Sequence, residues 1–527
     1  MKNTIFRLAL IAIISASLVS CDRDTLEPFT PGALTEDVAI QNSSDLTLLM
    51  NSTYNLLTSR SESEFVSVFT DEVGIGFANG GQGTSDDYVF FLTPSTGGPT
   101  AIWNNAYFVL SRANRVISFA DKLVPTDATD ATKIANLKAQ ALIVRAYCHL
   151  RILSYFTTDM KDNNALAGVL ATRIFLPNEK QNPRATNGEF YASIHSDLDN
   201  AIAIFNSNSS ISFSNIAANI VFAKGLKARA YAYKGDYTNA ETWANNVIST
   251  SGLSLATPAQ YRTLFFSDNQ PATVEVIFKL KRTPQQNSQA SNLHNAWCSV
   301  RPNIAGSPFY EVSRALHNIL NPTNLSASTL ATTVSDVRAN VIIAPSSLVD
   351  PNYATSTDYR NTDRLIINKH GGAQTGSATY VSTATNGNSN DIKLMRLSEM
   401  YFIKAEARVN AGDLVGAATA IKSILDARNS TTQSLPVYAT ATAAWAAILQ
   451  QRRIEFAFEG YRFVDLKRLK TLAGVGIDRN PADYNSSSAN YPGANPSNFP
   501  GNSYKWAFPI PQDELNVNPT IQQNPGY

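Results

Sequence analysis

Apolar residues recur at helical spacing through long stretches of the chain. Large apolar residues fall three or four positions apart between Trp103 and Ile117, and similar patterns cover residues 44–57 and about 133–156. These patterns predict amphipathic helices that pack their apolar sides together. Residues 274–280 alternate loosely between apolar and polar positions, which predicts a short strand.

A helix–turn–helix pattern occurs twice. Ala230 is followed five residues later by Gly235-Asp236, and Ala407 is followed in the same way by Gly412-Asp413. Small residues let two helices approach closely and Gly-Asp makes the tight turn between them, as in tetratricopeptide helix pairs. Because the two copies lie far apart in the chain, they predict separate helix pairs and not a continuous solenoid.

The predicted fold is mainly α-helical, with a few short strands. Helix pairs are expected near residues 100–156, 187–250 and 395–460, and long irregular segments separate them. A rigid scaffold usually presents its binding surface on such segments. Four segments stand out by their polar, glycine-rich or proline-rich composition: 70–100, 283–312, 371–391 and 478–503.

Carbohydrate binding needs flat apolar surfaces for the sugar ring and planar hydrogen-bonding groups for its hydroxyls. The candidate substrate-binding residues are Asp71 and Tyr88 in the first segment, with Trp297, Arg301 and Tyr310 in the second. For each aromatic residue among them, packing within its own loop is the alternative. Trp103 lies in a helical apolar stripe, which favours a place in the core.

Residues 452–468, RRIEFAFEGYRFVDLKR, are strongly charged and strongly aromatic, although only 16% of the chain is charged. Opposite charges recur three residues apart, which predicts local pairs along a helix. The large apolar residues between them cannot all face water, so part of the charge has to turn inward and be paired. Gly460 is predicted to separate two helices. The expected structural ion network consists of Arg452, Glu455, Glu459, Arg462 and Asp465.

Acid–base chemistry is the alternative for this segment, because Glu455 and Glu459 fall four residues apart on one helical face. Five basic residues surround the three acids of the segment. Neighbouring positive charge keeps carboxylates ionised and does not prepare them to transfer protons. A structural role is therefore favoured.

The N-terminus has the pattern of an exported lipoprotein. Lys2 and Arg7 precede an apolar run that is too short to span a bilayer, and the run ends at Leu18-Val19-Ser20-Cys21. Those four residues match the bacterial lipobox, in which the cysteine becomes the acylated N-terminus. An ordinary secretory signal is the alternative.

The expected organisation follows from this N-terminus. A signal peptide covers residues 1–20, and the lipid-attachment cysteine, Cys21, opens a flexible tether over residues 21–43. One helical domain then covers residues 44–527, with an N-terminal part at 44–260 and a C-terminal part at 261–527.

Charge and cysteine content narrow the classes of function. A net charge of +1 argues against a nucleic-acid-binding protein, which usually carries a basic face. Three cysteines give no disulfide framework, so Cys148 and Cys298 are predicted to be free thiols, with a long-range disulfide as the alternative. The five histidines show no metal-ligand spacing, and we predict neither a metal site nor a cofactor.

Several stretches, in order, resemble the SusD/RagB family of nutrient-binding outer-membrane lipoproteins. They are the lipobox ending at Cys21, WNNAYFVLSRANRVI at 103–117, RLSEMYFIKAEARVNAGDLVGAATAIKSILDAR at 396–428, the charged segment 452–468, and the close from FPIP at 508–511 to NPGY at 524–527. The resemblance implies a SusD-like scaffold of tetratricopeptide-like pairs. It also implies acyl chains, such as palmitate, at Cys21 and a position at the cell surface of the outer membrane.

The same resemblance implies a binding protein that is not an enzyme. Such a protein captures an oligosaccharide and delivers it to a TonB-dependent, SusC-like outer-membrane transporter. A peptide ligand in the same architecture, as in RagB-like receptors, is the first alternative. A surface glycosidase would need two carboxylates about 5–10 Å apart across a cleft, and a purely structural adaptor would bind no small ligand.

Overall fold

A computed structural model describes residues 36–58, 60–77, 79, 87–176, 179–266, 271–282, 309–356, 359–370, 391–484 and 498–527. The predicted lipid attachment at Cys21, the candidate ligand residues Trp297 and Arg301, and Cys298 lie outside the described residues. Most of the segment 371–391 lies outside them as well.

Helices dominate the described chain, and the predicted mainly α-helical fold with a few short strands is confirmed. Short 3₁₀ helices cover Asp87–Val89, Pro481–Tyr484 and Tyr504–Trp506. The α-helices are α1 (Glu36–Ala39), α2 (Ser43–Leu56), α3 (Arg60–Phe69), α4 (Gly97–Lys122), α5 (Ala128–Phe156), α6 (Asn187–Ser207), α7 (Ile220–Lys234), α8 (Tyr237–Thr250), α9 (Pro258–Phe266), α10 (Arg314–Leu320), α11 (Ala327–Thr333), α12 (Val337–Ile342), α13 (Tyr359–Thr362), α14 (Leu397–Asn410), α15 (Leu414–Arg428), α16 (Ala441–Glu455), α17 (Arg462–Ala473) and α18 (Gln512–Val517).

Four short strands form two separate antiparallel ribbons. Strand β1 (Val73–Ile75) pairs with β3 (Tyr310–Val312), and β2 (Val276–Leu280) pairs with β4 (Ile392–Arg396). Strand β2 covers most of the segment in which the loose alternation predicted a strand. In both ribbons the paired strands are distant in sequence, so each ribbon joins two separated regions of the chain.

Antiparallel helix pairs form the frame, as the repeated pattern predicts. Helix α7 packs against α8, and α14 packs against both α15 and α8. Gly235 and Gly412 end α7 and α14 with φ values of 81° and 80°, a left-handed conformation that glycine adopts without steric cost. The aspartates that follow them, Asp236 and Asp413, accept N–H hydrogen bonds in the first turn of the next helix.

Helix α5 packs between α4 and α6. Its buried side chains belong to a core that spans most of the described chain. One cluster of buried apolar side chains extends from Leu46 to Ile510. Trp103 is 1% exposed and packs on Tyr107 and Phe156, so it is a core residue. Cys148 is a buried free thiol within α5. The division of the helical domain at residue 260 stays a prediction.

The C-terminal segment supplies hydrogen-bond donors to the C-terminal end of α5. The last carbonyls of a helix have no partner inside it, so they need donors from elsewhere. Phe508 N donates to Tyr155 O at 2.9 Å, and Asn524 Nδ2 donates to Phe156 O at 2.7 Å. Lys467 Nζ donates to Ser154 O and Thr157 O at 2.8 and 2.6 Å. The final residues of the chain are therefore part of the frame.

No helix within the described ranges combines the length and the apolar character needed to cross a bilayer.

Candidate functional site

The β1–β3 ribbon holds the two predicted ligand-binding segments together. Ile75 is paired with Tyr310, and beyond this pair Gly76 N donates to Phe309 O at 2.9 Å. Because the strands are antiparallel, the chain leaves β1 at the same end of the ribbon where it enters β3. The ends of the first two irregular segments predicted from composition therefore lie side by side.

A buried amide lies at this end of the ribbon. Asn79 is 0% exposed, and its Nδ2 donates to Phe309 O at 3.0 Å. Its Oδ1 accepts no hydrogen bond within the described part of the chain. A buried acceptor without a donor costs free energy, so it is a position where an incoming hydroxyl or N–H would be stabilising.

The β2–β4 ribbon places the other end of the 283–312 segment next to the end of the 371–391 segment. Asp391, just before β4, accepts a hydrogen bond from Arg282 N at 2.8 Å and pairs with Lys279 Nζ at 2.6 Å. The 283–312 segment therefore starts at one ribbon and ends at the other. Three of the four irregular segments that composition identified are anchored on these two ribbons.

A cavity of about 190 Å³ lies beside the point where the chain leaves β2. Helix α2 contributes Asn51, Tyr54 and Asn55 to its wall, and Lys281 and Arg282 line it from the strand side. Tyr54 is fixed by two hydrogen bonds, because its hydroxyl donates to Gln140 Oε1 and accepts from Ala218 N. Amides, an aromatic edge and cations on a rigid wall can orient a polar ligand.

Asp71 lies in the core directly before β1. It is 0% exposed, and Arg462 donates to both of its carboxylate oxygens at 2.7 and 2.8 Å. Asp478 N donates to Oδ2 at 2.8 Å. Burial alone would raise the pKa of Asp71, but Arg453 and Arg462 outweigh that effect and lower it. The Asp71 side chain is thus engaged in holding β1 to α17.

Tyr88 and Tyr310 are also buried, at 0% and 8% exposure. The Arg479 guanidinium lies 4.0 Å from the centre of the Tyr88 ring and donates to Tyr88 O. Tyr310 contacts Phe309 with a ring-centre distance of 5.9 Å. Of the two, Tyr310 is closer to the ribbon end, because it forms the last pair of the β1–β3 register.

The charged segment 452–468 is buried at its ionic residues. Glu455 is 0% exposed and pairs with Arg396 and Arg428 at 2.6 and 2.7 Å. Glu459 pairs with Arg396 at 2.8 Å and with Lys369 at 2.7 Å. Burial alone would raise both pKa values, but Arg428 and Arg396 hold the pKa of Glu455 well below its usual range. Arg396 and Lys369 likewise lower that of Glu459.

The predicted local pairing within that segment is wrong for Arg452, Glu459 and Arg462. Arg452 pairs with Asp465 at 2.8 Å and with Glu406 at 3.3 Å, and Arg462 pairs with Asp71. Of the pairs three residues apart, Asp465–Arg468 forms, at 3.2 Å. Helix α16 ends at Glu455 and α17 begins at Arg462, so Glu459 does not share a helix with Arg462, and the other unformed pairs are replaced by pairs with charges elsewhere in the chain. Gly460 lies in the turn between them with a φ of 84°.

Comparisons with known proteins match both halves of the chain. The SusD family matches residues 340–527, and the SusD-like family described as starch-binding associating with outer membrane matches residues 37–231. The chain is similar to SusD proteins over both ranges. A comparison with curated proteins gave no match.

Solved structures of SusD proteins share the fold. A SusD superfamily protein from Bacteroides thetaiotaomicron is 23% identical with a TM-score of 0.71, over 92% of this chain and 100% of that one. A putative sugar binding protein from Bacteroides vulgatus is 24% identical with a TM-score of 0.68, over 93% and 99% of the two chains. A laminarin binding SusD-like protein is 19% identical with a TM-score of 0.61, over 92% and 100%.

Several residues described above were not among the candidates predicted from the sequence. Asn79, Asn51 and Asn55 are asparagines in polar stretches, and no motif distinguishes them there. Asn51 and Asn55 lie four residues apart in α2, a spacing that places both on one helical face and is the one available sequence signal. Glu275, which pairs with Arg396 and Arg428 at 2.6 Å, precedes β2 and has no signal in the local sequence.

Proposed function

We propose that this protein captures an oligosaccharide at the cell surface and delivers it to a SusC-like, TonB-dependent transporter of the outer membrane. The observation that carries the proposal is the anchoring of the irregular segments on the β1–β3 and β2–β4 ribbons. A rigid helical frame that holds irregular segments together is the usual architecture of a binding surface.

The names of related proteins support a carbohydrate ligand. One solved relative in fold is called laminarin binding, another is called a putative sugar binding protein, and the family matching residues 37–231 is described as starch-binding. That description also includes association with the outer membrane, which supports the proposed location. We further propose that a lipid at Cys21 anchors the protein in the outer membrane and that the protein faces the cell surface.

We assign ligand contact to the ends of the ribbons. Trp297 and Arg301 belong to the segment that joins the two ribbons, and Tyr310 ends it. Asn79 Oδ1 adds a buried acceptor that a sugar hydroxyl would satisfy. Asp71 and Tyr88 support the same site indirectly. Their buried contacts with Arg462 and Arg479 fix the position of the segment 70–100 in the core.

The protein would act by binding without chemical conversion. Glu455 and Glu459, the acids considered for proton transfer, are buried and held ionised by arginines. Binding strength can be modest, since a millimolar dissociation constant corresponds to about −4 kcal/mol. Delivery to a pore makes such weak capture effective, because a held ligand has a high local concentration at the entrance.

Titration of the purified protein with a panel of glycans that includes laminarin and starch fragments tests the proposal. Intrinsic tryptophan fluorescence should change saturably with at least one glycan, and Trp297→Ala should abolish or strongly weaken that response. Trp243→Ala is the matched control, because Trp243 lies in α8, stacks with Lys227 and does not line the cavity beside β2. An unaltered titration in Trp297→Ala, or release of reducing ends from any bound glycan, would contradict the proposal.

The partner and the anchor need separate tests. Affinity purification of the tagged protein from its native membrane should recover a TonB-dependent transporter in stoichiometric amount. Cys21→Ser should release the protein from the membrane fraction. Recovery of the protein alone, or retention of the Cys21→Ser variant in the membrane, would count against these two parts of the proposal.

A further inference from the structure

A second cavity, of about 330 Å³, lies where the C-terminal end of α5 meets α17 and the 3₁₀ helix Tyr504–Trp506. Its volume lies within the range of about 300–1,000 Å³ that is typical of ligand sites. It does not share wall residues with the cavity beside β2. The residues that carry charge on its wall are Asp159, Lys161, Lys467, Arg468 and Lys470.

The wall carries an excess of positive charge. Arg468 is neutralised within the core, because it pairs with Glu406 at 2.9 Å and with Asp465 at 3.2 Å. Three lysine side chains remain, from Lys161, Lys467 and Lys470, against the single carboxylate of Asp159. The uncompensated wall charge is therefore about +2 when Lys467 is protonated and about +1 when it is neutral, and a positive wall in either state favours an anion.

Lys467 has a third hydrogen-bond donor when it is protonated. Its ammonium is buried and donates to Ser154 O at 2.8 Å and to Thr157 O at 2.6 Å. A protonated Lys467 has three N–H donors, so one remains on a side chain that lines the cavity. Burial lowers the pKa of Lys467 well below its usual value, and a bound anion would oppose that shift because it favours the charged form. No carboxylate lies within ion-pair distance of Lys467 among the described residues. Carbonyls at the end of α5 compensate only part of its charge.

Lys470 and Lys161 add further donors. Lys470 Nζ lies 4.5 Å from the centre of the Trp506 ring and makes one long hydrogen bond, of 3.3 Å, to Lys467 O. Lys161 is exposed, and its ammonium has no hydrogen-bond or ion-pair partner in the described part of the chain. Lys470 covers the Trp506 ring, so little apolar surface is left on which a sugar ring could stack. The cavity wall therefore suits a small charged group better than a neutral sugar.

We propose that this cavity binds an oxyanion, a carboxylate or a sulfate group, through the ammonium groups of Lys161, Lys467 and Lys470. The anion would supply the missing acceptor for Lys467 and balance the positive wall. Two sources carry this chemistry: an acidic sugar of the captured material, or a free inorganic anion. The site is separate from the proposed oligosaccharide site and does not depend on that proposal.

Isothermal titration of the full-length protein with sodium sulfate, with glucuronate and with glucose, at matched ionic strength, tests the assignment. Sulfate or glucuronate should bind saturably and glucose should not. Binding of glucuronate would identify a sugar-borne carboxylate as a ligand, and binding of sulfate alone would identify a free anion. Absence of saturable binding by both anions, or equal binding of glucose, would overturn the proposal.

Variants separate anion binding from a purely structural role of the lysines. Lys161→Met and Lys470→Met should each weaken anion binding at least tenfold while leaving the fold intact, since neither side chain caps α5. Lys467→Met should also destabilise the protein, so it is not the decisive variant. Lys133→Met, at the exposed opposite end of α5, is the control and should bind as the natural protein does. Unchanged affinity in both Lys161→Met and Lys470→Met would also overturn the assignment.

The test is independent of the oligosaccharide site. Trp297→Ala should keep anion binding, and Lys470→Met should keep the glycan response. If the natural protein shows one type of binding and lacks the other, the missing type identifies which of the two proposals fails.

Discussion

Asp71 and Arg462 form a two-point ion pair in the core, with Nε–Oδ1 and Nη2–Oδ2 distances of 2.7 and 2.8 Å. Asp71 precedes β1, and Arg462 begins α17. The pair therefore joins the N-terminal end of a candidate ligand segment to a helix near the C-terminus. Both side chains are buried, at 0% and 5% exposure, so neither charge can turn to water if the other is removed.

Removal of Arg462 should strongly destabilise the protein. Arg462→Met leaves the Asp71 carboxylate buried without its main partner, and we expect a loss of about 3–5 kcal/mol in the free energy of unfolding. Asp71→Asn combined with Arg462→Met should recover part of the loss, because no buried charge then remains on Asp71. Urea unfolding measures both. A double variant no more stable than Arg462→Met would contradict the account of this pair.

Glu455 should be a second critical position. Glu455→Gln removes the charge that Arg396 and Arg428 share, and we expect a loss of about 3–5 kcal/mol. The control is Glu241→Gln, which breaks a pair with Arg408, a side chain that is 39% exposed. Exposed pairs contribute about 0–1 kcal/mol, so the control should stay close to the natural protein. Equal losses in the two variants would show that burial does not determine the effect.

Stability should depend on pH through Glu72. Burial raises the pKa of Glu72 to about 7, although Ser67 and Phe458 N donate to it. An unfolded glutamate titrates near about 4.3. The folded protein therefore holds a proton that the unfolded chain releases, and this contribution to stability is full below about pH 4 and is lost as the pH rises through about 7.

Glu72→Gln should therefore gain stability relative to the natural protein as the pH rises from about 5 to 8, by about 1–3 kcal/mol. Urea unfolding at several pH values measures the difference. Burial raises the pKa of Asp483 to about 7 as well, so Asp483→Asn should show the same direction. A difference between Glu72→Gln and the natural protein that does not vary with pH would contradict the shifted pKa.

The turn between α14 and α15 should require glycine. Gly412 has a φ of 80°, and a Cβ added there would meet no atom within 4 Å, so the cost of an alanine is conformational alone. Gly412→Ala should destabilise the protein by about 1–2 kcal/mol. Gly97→Ala is the matched control, because that position is equally open and its φ is not in the left-handed region. Thermal unfolding should show a loss in the first variant and no loss in the second.

The frame could be predicted from the sequence because its signals are local. Gly235-Asp236 and Gly412-Asp413 carry their own turn chemistry, and the apolar stripe that contains Trp103 has a helical period. The family resemblance rested on the same local patterns. These signals do not depend on which parts of the chain meet in space.

Ionic partners could not be predicted in the same way. The sequence shows that residues 452–468 carry too much charge beside too many aromatics, but the partners of Glu455 come from Arg396 and Arg428. A pair between distant elements leaves no periodic pattern, and the three-residue spacing suggested local pairs that mostly do not form. The burial of Asp71 and Tyr88 could not be predicted either, because their glycine-rich neighbours are typical of an exposed loop.

Hydrogen exchange with and without a bound glycan tests the central claim most directly. Ligand contact is proposed on the irregular segments that the two ribbons anchor. Binding should therefore slow exchange over residues 73–91 and 283–312, while α7, α8, α14 and α15 exchange as before. Protection confined to the helical pairs, with no change in those two segments, would contradict it.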